Sequence, residues 1–278
     1  MGRVVALIPA HARHEVVCLT VGSLLRLHPG EDIDVHVGVH SNYADYDPSP
    51  RLFEELEGVA NIHRVDEIDW AAHEGDLMRY STMHAKNLLN LLKAVGGSDF
   101  DRVLLLDHDL QFRGDFLSMA AAGQDLLGCL ADDAPAPFEF KTGKGEAMWR
   151  APKLSVWHLL LSRRLFDVLL TCADDAVPPK IVPPERAFRY LAKWGLDKDL
   201  PVFVDTLAEF MFRYSDDPRF RFDIRPAAAF APAVKHFFNS SFNYGYRTRR
   251  ESYSAHIESI AEEYRREFPD GLRSFSRR

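Results

Sequence analysis

The run Val103-Leu104-Leu105-Leu106 leads straight into Asp107-His108-Asp109, and few folds accept such a segment. An unbroken apolar stretch of this length, bounded by charge, reads as a short strand buried on both faces. It delivers two carboxylates to the C-terminal end of that strand, which is where open α/β sheets bind their ligands. Carboxylates there suit a hard divalent cation, Mg²⁺ or Mn²⁺, which takes oxygen ligands and bridges to substrate phosphates. Taken alone, Asp-X-Asp reads equally as a strand end followed by a solvated acidic turn.

The flanking pattern extends the α/β reading. Residues 3–9 predict a first strand stopped by Pro9, and residues 14–27 a helix with Val17, Leu24, Leu25 and Leu27 on its apolar side, ended by Pro29-Gly30. Residues 33–39 alternate apolar and polar, a strand with one wetter face. Residues 41–50 are a loop, 52–56 a short helix and 62–65 a third strand. Residues 83–95 place Leu88, Leu91, Leu92 and Val95 at helical spacing, with Gly96-Gly97 closing the helix. This β-α-β-α-β order implies a mainly parallel sheet with helices on both faces. The second half is broken by Pro135, Pro137, Pro178-Pro179 and Pro183-Pro184, with helices expected near 162–170, 206–214 and 254–267. Without repeats or a low-complexity linker, the prolines read as loops within one compact domain.

Composition narrows the class. The chain has 278 residues, 46% hydrophobic and 27% charged, as soluble globular proteins do. It has no apolar run long enough for a transmembrane helix, and its first residues lack a secretory pattern, so a cytoplasmic protein is expected. Cys18, Cys129 and Cys172 are scattered, against a disulfide framework or a zinc knot. The net charge of −7 does not suggest a general nucleic-acid binder, although residues 235–278 hold nine Lys/Arg against six Asp/Glu. Within that stretch, Tyr244-Gly245-Tyr246-Arg247-Thr248-Arg249-Arg250 interleaves aromatics and arginines, either a clamp for a polyanion, such as DNA or a phosphorylated lipid, or a solvated tail.

Three more segments hold chemistry-bearing residues. In Val202-Phe203-Val204-Asp205-Thr206, a strand-like tripeptide leads to Asp205, which reads as a helix N-cap, with the carboxylate of Glu209 one turn on and on the same face. His236, after an apolar stretch, reads by itself as a buried, hydrogen-bonded core histidine. Trp157 and His158 follow the aspartate-bearing strand, and Trp157 reads at least equally as core packing. Residues 141–145 read as a mobile loop.

His84-Ala85-Lys86-Asn87-Leu88-Leu89-Asn90, followed by Asp101-Arg102 and the Asp107-His108-Asp109 strand, resembles the nucleotide-sugar half of GT-A fold glycosyltransferases, particularly family 2. Val4-Val5-Ala6-Leu7-Ile8-Pro9-Ala10-His11-Ala12-Arg13 resembles that family's opening strand and Pro-x-x-x-Arg turn. The resemblance covers about residues 3–115, and it departs at Val39-His40-Ser41-Asn42, where the usual aspartate pair is missing. It implies a Rossmann-like mixed, mainly parallel sheet flanked by helices. It also implies transfer of a sugar from a nucleotide donor, with a UDP-sugar expected, to a hydroxyl acceptor.

Carried over residue by residue, Pro9, Ala10, Arg13, Asn42, Lys86, Asn87 and Asp107 would meet the donor. Asp107, Asp109 and His236 would hold Mn²⁺ or Mg²⁺, and Trp157 and His158 would face the acceptor. Asp205, 96 positions after Asp109, would be the base of an inverting displacement, with Glu209 in reserve. His108 is expected to be structural or acceptor-facing. The implied division is a nucleotide-sugar half at 1–125, an acceptor and catalytic half at 126–250, and a C-terminal amphipathic helix and tail at 251–278. Residues 107–116 also resemble the glycogenin-like family 8 pattern, which would make the enzyme retaining. A nucleotidyltransferase and a non-catalytic nucleotide-sugar-binding protein are the other readings. The glycine-free Pro9-to-Arg13 turn counts against the former.

Overall fold

A computed structural model describes residues 2–40, 43, 47, 49–65, 87–88, 90–130, 138–141, 147–151, 154–173, 180–182, 202–203, 218–237 and 250–276. Strand β1 (Val4–Ala10) runs into helix α1 (His14–Leu27), then β2 (Ile33–His40), α2 (Arg51–Leu56) and β3 (Asn61–Val65). After a helical stretch at 90–95 come β4 (Arg102–Leu106), β5 (Leu110–Phe112) and β6 (Leu126–Leu130). The remainder holds β7 (Phe138–Lys141), β8 (Ala147–Ala151), β9 (Leu154–Ser162), α3 (Arg163–Ala173), β10 (Lys180–Val182), β11 (Val202–Phe203), β12 (Phe222–Arg225), β13 (Val234–His236) and α4 (Arg250–Glu267). No helix among the described residues is long and apolar enough to cross a membrane.

Seven strands form one sheet in the order β12-β6-β9-β4-β1-β2-β3. β1, β2, β3 and β4 are mutually parallel, β12 is parallel to β6, and β9 alone runs against both of its neighbours. This is the mixed, mainly parallel α/β sheet that the sequence predicts. Its strand alternation divides the core in two. Val4, Ala6, Ile8, Leu104 and Leu106 pack on one face with α1 and α4. Val5, Leu7, Val103 and Leu105 pack on the other with Leu91, Leu92 and Val95 and with Leu165 and Phe166 of α3. Cover on both faces is why β4 is apolar at consecutive positions.

β2 departs from expectation, because all eight of its residues are buried. Asp34 and His36 are paired rather than solvated. Asp34 accepts from Arg3 at 2.9 Å and from Asn61 Nδ2 at 2.9 Å, and His36 Nδ1 lies 2.8 Å from His63 Nε2 on β3. Buried polar groups with partners escape most of the desolvation penalty, so alternation here does not report a wet face.

Helix α4 packs on α1 through Ile257, Ile260 and Tyr264, and Ala261 is buried on the same i, i+3, i+4, i+7 stripe. Gly22 permits the close approach: a Cβ there would lie 2.7 Å from the Phe268 ring. Lys141, expected to begin a loop, instead ends β7, paired with Lys180; residues 142–146 lie outside the described set, as does the helix expected over 206–214.

Candidate metal and donor site

β1 and β4 lie side by side and point their C-terminal ends the same way. Beyond Leu106 the chain turns through Asp107-His108-Asp109 and enters β5. β5 pairs antiparallel with β13, in the register Phe112↔Val234, Gln111↔Lys235, Leu110↔His236. The Phe237 N–H then donates to the Asp109 carbonyl at 2.9 Å. This two-stranded ribbon brings His236 to the aspartates across 127 positions of sequence.

One ligand atom from each of Asp107, Asp109 and His236 lies within 4.8 Å of the others. His236 Nε2 is 2.8 Å from Asp109 Oδ1 and 3.8 Å from Asp107 Oδ2, and Asp109 is only 5% exposed. Burial works against charge on the His236 ring. The Asp109 hydrogen bond and the two carboxylate charges outweigh it and hold its pKa above the usual imidazole value. Two carboxylate oxygens and one imidazole nitrogen facing a common point fit a divalent cation. The oxygen majority suits Mn²⁺ or Mg²⁺, and the imidazole is better tolerated by Mn²⁺.

Two hydroxyls that sequence reasoning missed hold the aspartate turn. Thr20 Oγ1 of α1 lies 2.7 Å from the His108 carbonyl and 2.8 Å from that of Leu110, and it accepts the Leu110 N–H at 3.0 Å. Ser23 Oγ accepts the Phe112 N–H at 2.9 Å. Both residues are 0% exposed. The available signal was a pair of hydroxyls three apart, on one helix face, inside Cys18-Leu19-Thr20-Val21-Gly22-Ser23-Leu24. Buried hydroxyls in so apolar a stretch need hydrogen-bond partners, inside the helix or beyond it.

His108 is buried between the strand ends. Its Nδ1 lies 3.2 Å from the Pro9 carbonyl and its ring meets His11 edge-on at 4.6 Å. Its backbone belongs to a turn rather than an extended strand, and it lies outside the metal group. Pro9 therefore contributes its carbonyl to the site's framework, and Ala10 is buried at the end of β1.

Arg13 binds Glu15 at 2.8 Å and reaches Glu258 of α4 at 3.0 Å. Asn87 is fully buried, and its Nδ2 donates to the Gly38 carbonyl at 3.1 Å, tying its helix to β2. A Cβ on Gly38 would overlap Asn87 Oδ1, which accounts for a glycine in the middle of that strand.

His158 of β9 pairs across the sheet with Leu106, is 4% exposed, and wedges edge-on against Phe116 and Phe230. Burial, reinforced by the neighbouring His236, pushes its pKa down to about 3, so the ring is neutral. Trp157 precedes it on β9. Asn42, Lys86, Asp205 and Glu209 lie outside the described residues. The structure therefore gathers Asp107, Asp109 and His236 at one point, with Pro9 beside the turn and His158 behind it.

No family model and no curated protein matches the chain. Solved structures similar to it include the mannosyltransferase PcManGT from Pyrobaculum calidifontis in complex with GDP-Man and Mn²⁺, at 12% identity and a TM-score of 0.45. That match covers 94% of this chain and 64% of the mannosyltransferase, so this chain spans less than two thirds of it. A second is an active-site mutant of LgtC, at 14% identity and a TM-score of 0.44, covering 92% of this chain and 95% of that one.

Proposed function

We propose that this protein is a metal-dependent glycosyltransferase of the GT-A type, acting in the cytoplasm on a nucleotide-sugar donor, a UDP-sugar first among them. The observation that carries the reading is the Asp107, Asp109, His236 group beyond the C-terminal ends of the parallel strands β1 and β4. Asp107, Asp109 and His236 would hold Mn²⁺ or Mg²⁺, which when bound supplies Lewis-acid neutralisation of the charge developing on a departing nucleoside diphosphate.

The chain's own residues do the rest. The end of β1, at Pro9, Ala10 and Arg13, with Asn42, Lys86 and Asn87, frames the nucleotide, so the donor half is residues 1–125. Trp157 and His158 belong to the acceptor half, residues 126–250, and the helix and tail at 251–278 close the molecule. The Asp205 carboxylate accepts the proton of the acceptor hydroxyl as its oxygen attacks the anomeric carbon, which makes the transfer a single inverting displacement; Glu209 is the reserve base.

The test is release of nucleoside diphosphate from a panel of nucleotide sugars, with Mn²⁺ and with EDTA. Metal-dependent release from one donor supports the reading and names the sugar. Silence with every donor, together with UDP binding that ignores the metal, overturns it. Asp205→Asn is expected to lower kcat about 10²- to 10⁴-fold with the donor KM little changed. Near-normal turnover would remove Asp205 as the base and favour a retaining enzyme of the family 8 kind.

A further inference from the structure

We propose that Glu263 of α4 is a positioning residue for the metal site, clamping the ribbon that carries His236; this rests on the metal-site reading above. Glu263 Oε1 accepts from Gln111 Nε2 at 2.8 Å and Glu263 Oε2 from Lys235 Nζ at 3.1 Å. Gln111 and Lys235 are directly opposite each other in the β5–β13 pairing. One carboxylate therefore bridges a cross-strand pair, one residue along from the pair Leu110↔His236.

The alternation of side chains along a strand makes the arrangement specific. Lys235 and His236 are adjacent on β13, so they point to opposite faces of the ribbon. Glu263 grips the face turned toward α4, while His236 faces Asp107 and Asp109 from the other. A two-stranded ribbon of three residue pairs is marginal by itself in water. The hydroxyls of Thr20 and Ser23 secure the β5 strand from α1. β13 is secured through its backbone pairing with β5 and, from outside the ribbon, through the Lys235 contact with Glu263. Glu263 is 14% exposed, and Arg113 at 3.6 Å and Arg266 at 3.5 Å add to the positive field around it. A carboxylate this shielded holds its partners better than a surface ion pair does.

The experiment is Mn²⁺ binding to the full chain, read from the electron paramagnetic resonance signal of free Mn²⁺, without donor or turnover. Glu263→Ala is expected to raise the Mn²⁺ dissociation constant about tenfold, the low end of what outer partners of metal ligands contribute. Lys235→Met is expected to do the same, and the double variant no more than either, because both remove one clamp. Arg265→Ala breaks a different α4 tether, the 3.5 Å contact with Glu15 of α1, and is expected to lower the unfolding midpoint while leaving Mn²⁺ affinity within about twofold.

If Glu263→Ala folds poorly, Glu263→Gln takes its place, since it keeps the side-chain shape and loses the charge facing Lys235. Affinity unchanged in the Glu263 variants, or weakened equally by Arg265→Ala, overturns the clamp and leaves the metal site standing, provided that Asp109→Ala loses binding. A wild-type chain that does not bind Mn²⁺ overturns both.

Discussion

Asp109→Ala is expected to abolish metal-dependent turnover, lowering kcat/KM by roughly 10³-fold or more, about 4 kcal/mol in the barrier. The carboxylate is nearly buried and lies within 4.8 Å of both other groups of the site. Its Oδ1 is the hydrogen-bond partner of His236 Nε2, and Asp107 is the other carboxylate facing that nitrogen. Truncating it removes one of the three groups of the candidate metal site and also frees the imidazole to which it is hydrogen-bonded. The backbone role of Asp109 survives the change, because its carbonyl still accepts the Phe237 N–H. The variant should therefore fold, which circular dichroism and the unfolding midpoint will check. Asp109→Asn, nearly the same in shape, should lose nearly as much activity, since a neutral amide is a far weaker ligand for a hard cation. Turnover within tenfold of wild type in a well-folded Asp109→Ala would show that this group is not the site of reaction.

Thr20→Val should carry the second large effect, and it acts on stability first. Valine matches threonine in shape, so the change leaves packing intact and deletes the hydroxyl alone. The Leu110 N–H then loses its acceptor in a dry environment, and the His108 and Leu110 carbonyls lose a donor. An unsatisfied buried group costs about 1–3 kcal/mol, and one hydroxyl donates to only one carbonyl at a time, so a loss of about 3 kcal/mol is expected. It should appear as a lower urea midpoint at an unchanged slope. Thr20→Ser, which keeps the oxygen and drops a methyl, should cost about 1 kcal/mol. Metal affinity should weaken in Thr20→Val as well, because the turn that carries both aspartates rests on this hydroxyl. A Thr20→Val protein within about 0.5 kcal/mol of wild type would remove Thr20 as the turn's anchor.

The first half of the molecule was largely legible. The helix predicted over 14–27 is His14–Leu27, and the strands at 3–9, 33–39, 62–65 and 103–106 each lie within a residue of their observed bounds. These elements have local signatures: apolar residues at helical spacing, short β-branched runs, and Pro or Gly at the ends. The second half was harder. β9, which separates β4 from β6, was read as an acceptor-side segment, and β5, β6, β12 and β13 were not anticipated. Strands of three to five residues carry too few positions to establish a period, and their stability comes from neighbours distant in sequence.

The candidate site divides along the same line. Asp107 and Asp109 stand two apart after a buried strand, so the sequence by itself determined that two carboxylates reach the mouth of an α/β sheet. Adjacent residues travel together wherever the strand goes. His236 was suggested only through a family resemblance, and the tertiary structure decided its place through the β5–β13 register, 127 positions away. Thr20 and Glu263 lay within helices whose spacing is legible, yet nothing local says which backbone a buried hydroxyl will hold or which cross-strand pair a carboxylate will bridge. Those assignments depend on how α1 and α4 pack around one short ribbon, and side-chain periodicity within a single element does not encode that packing.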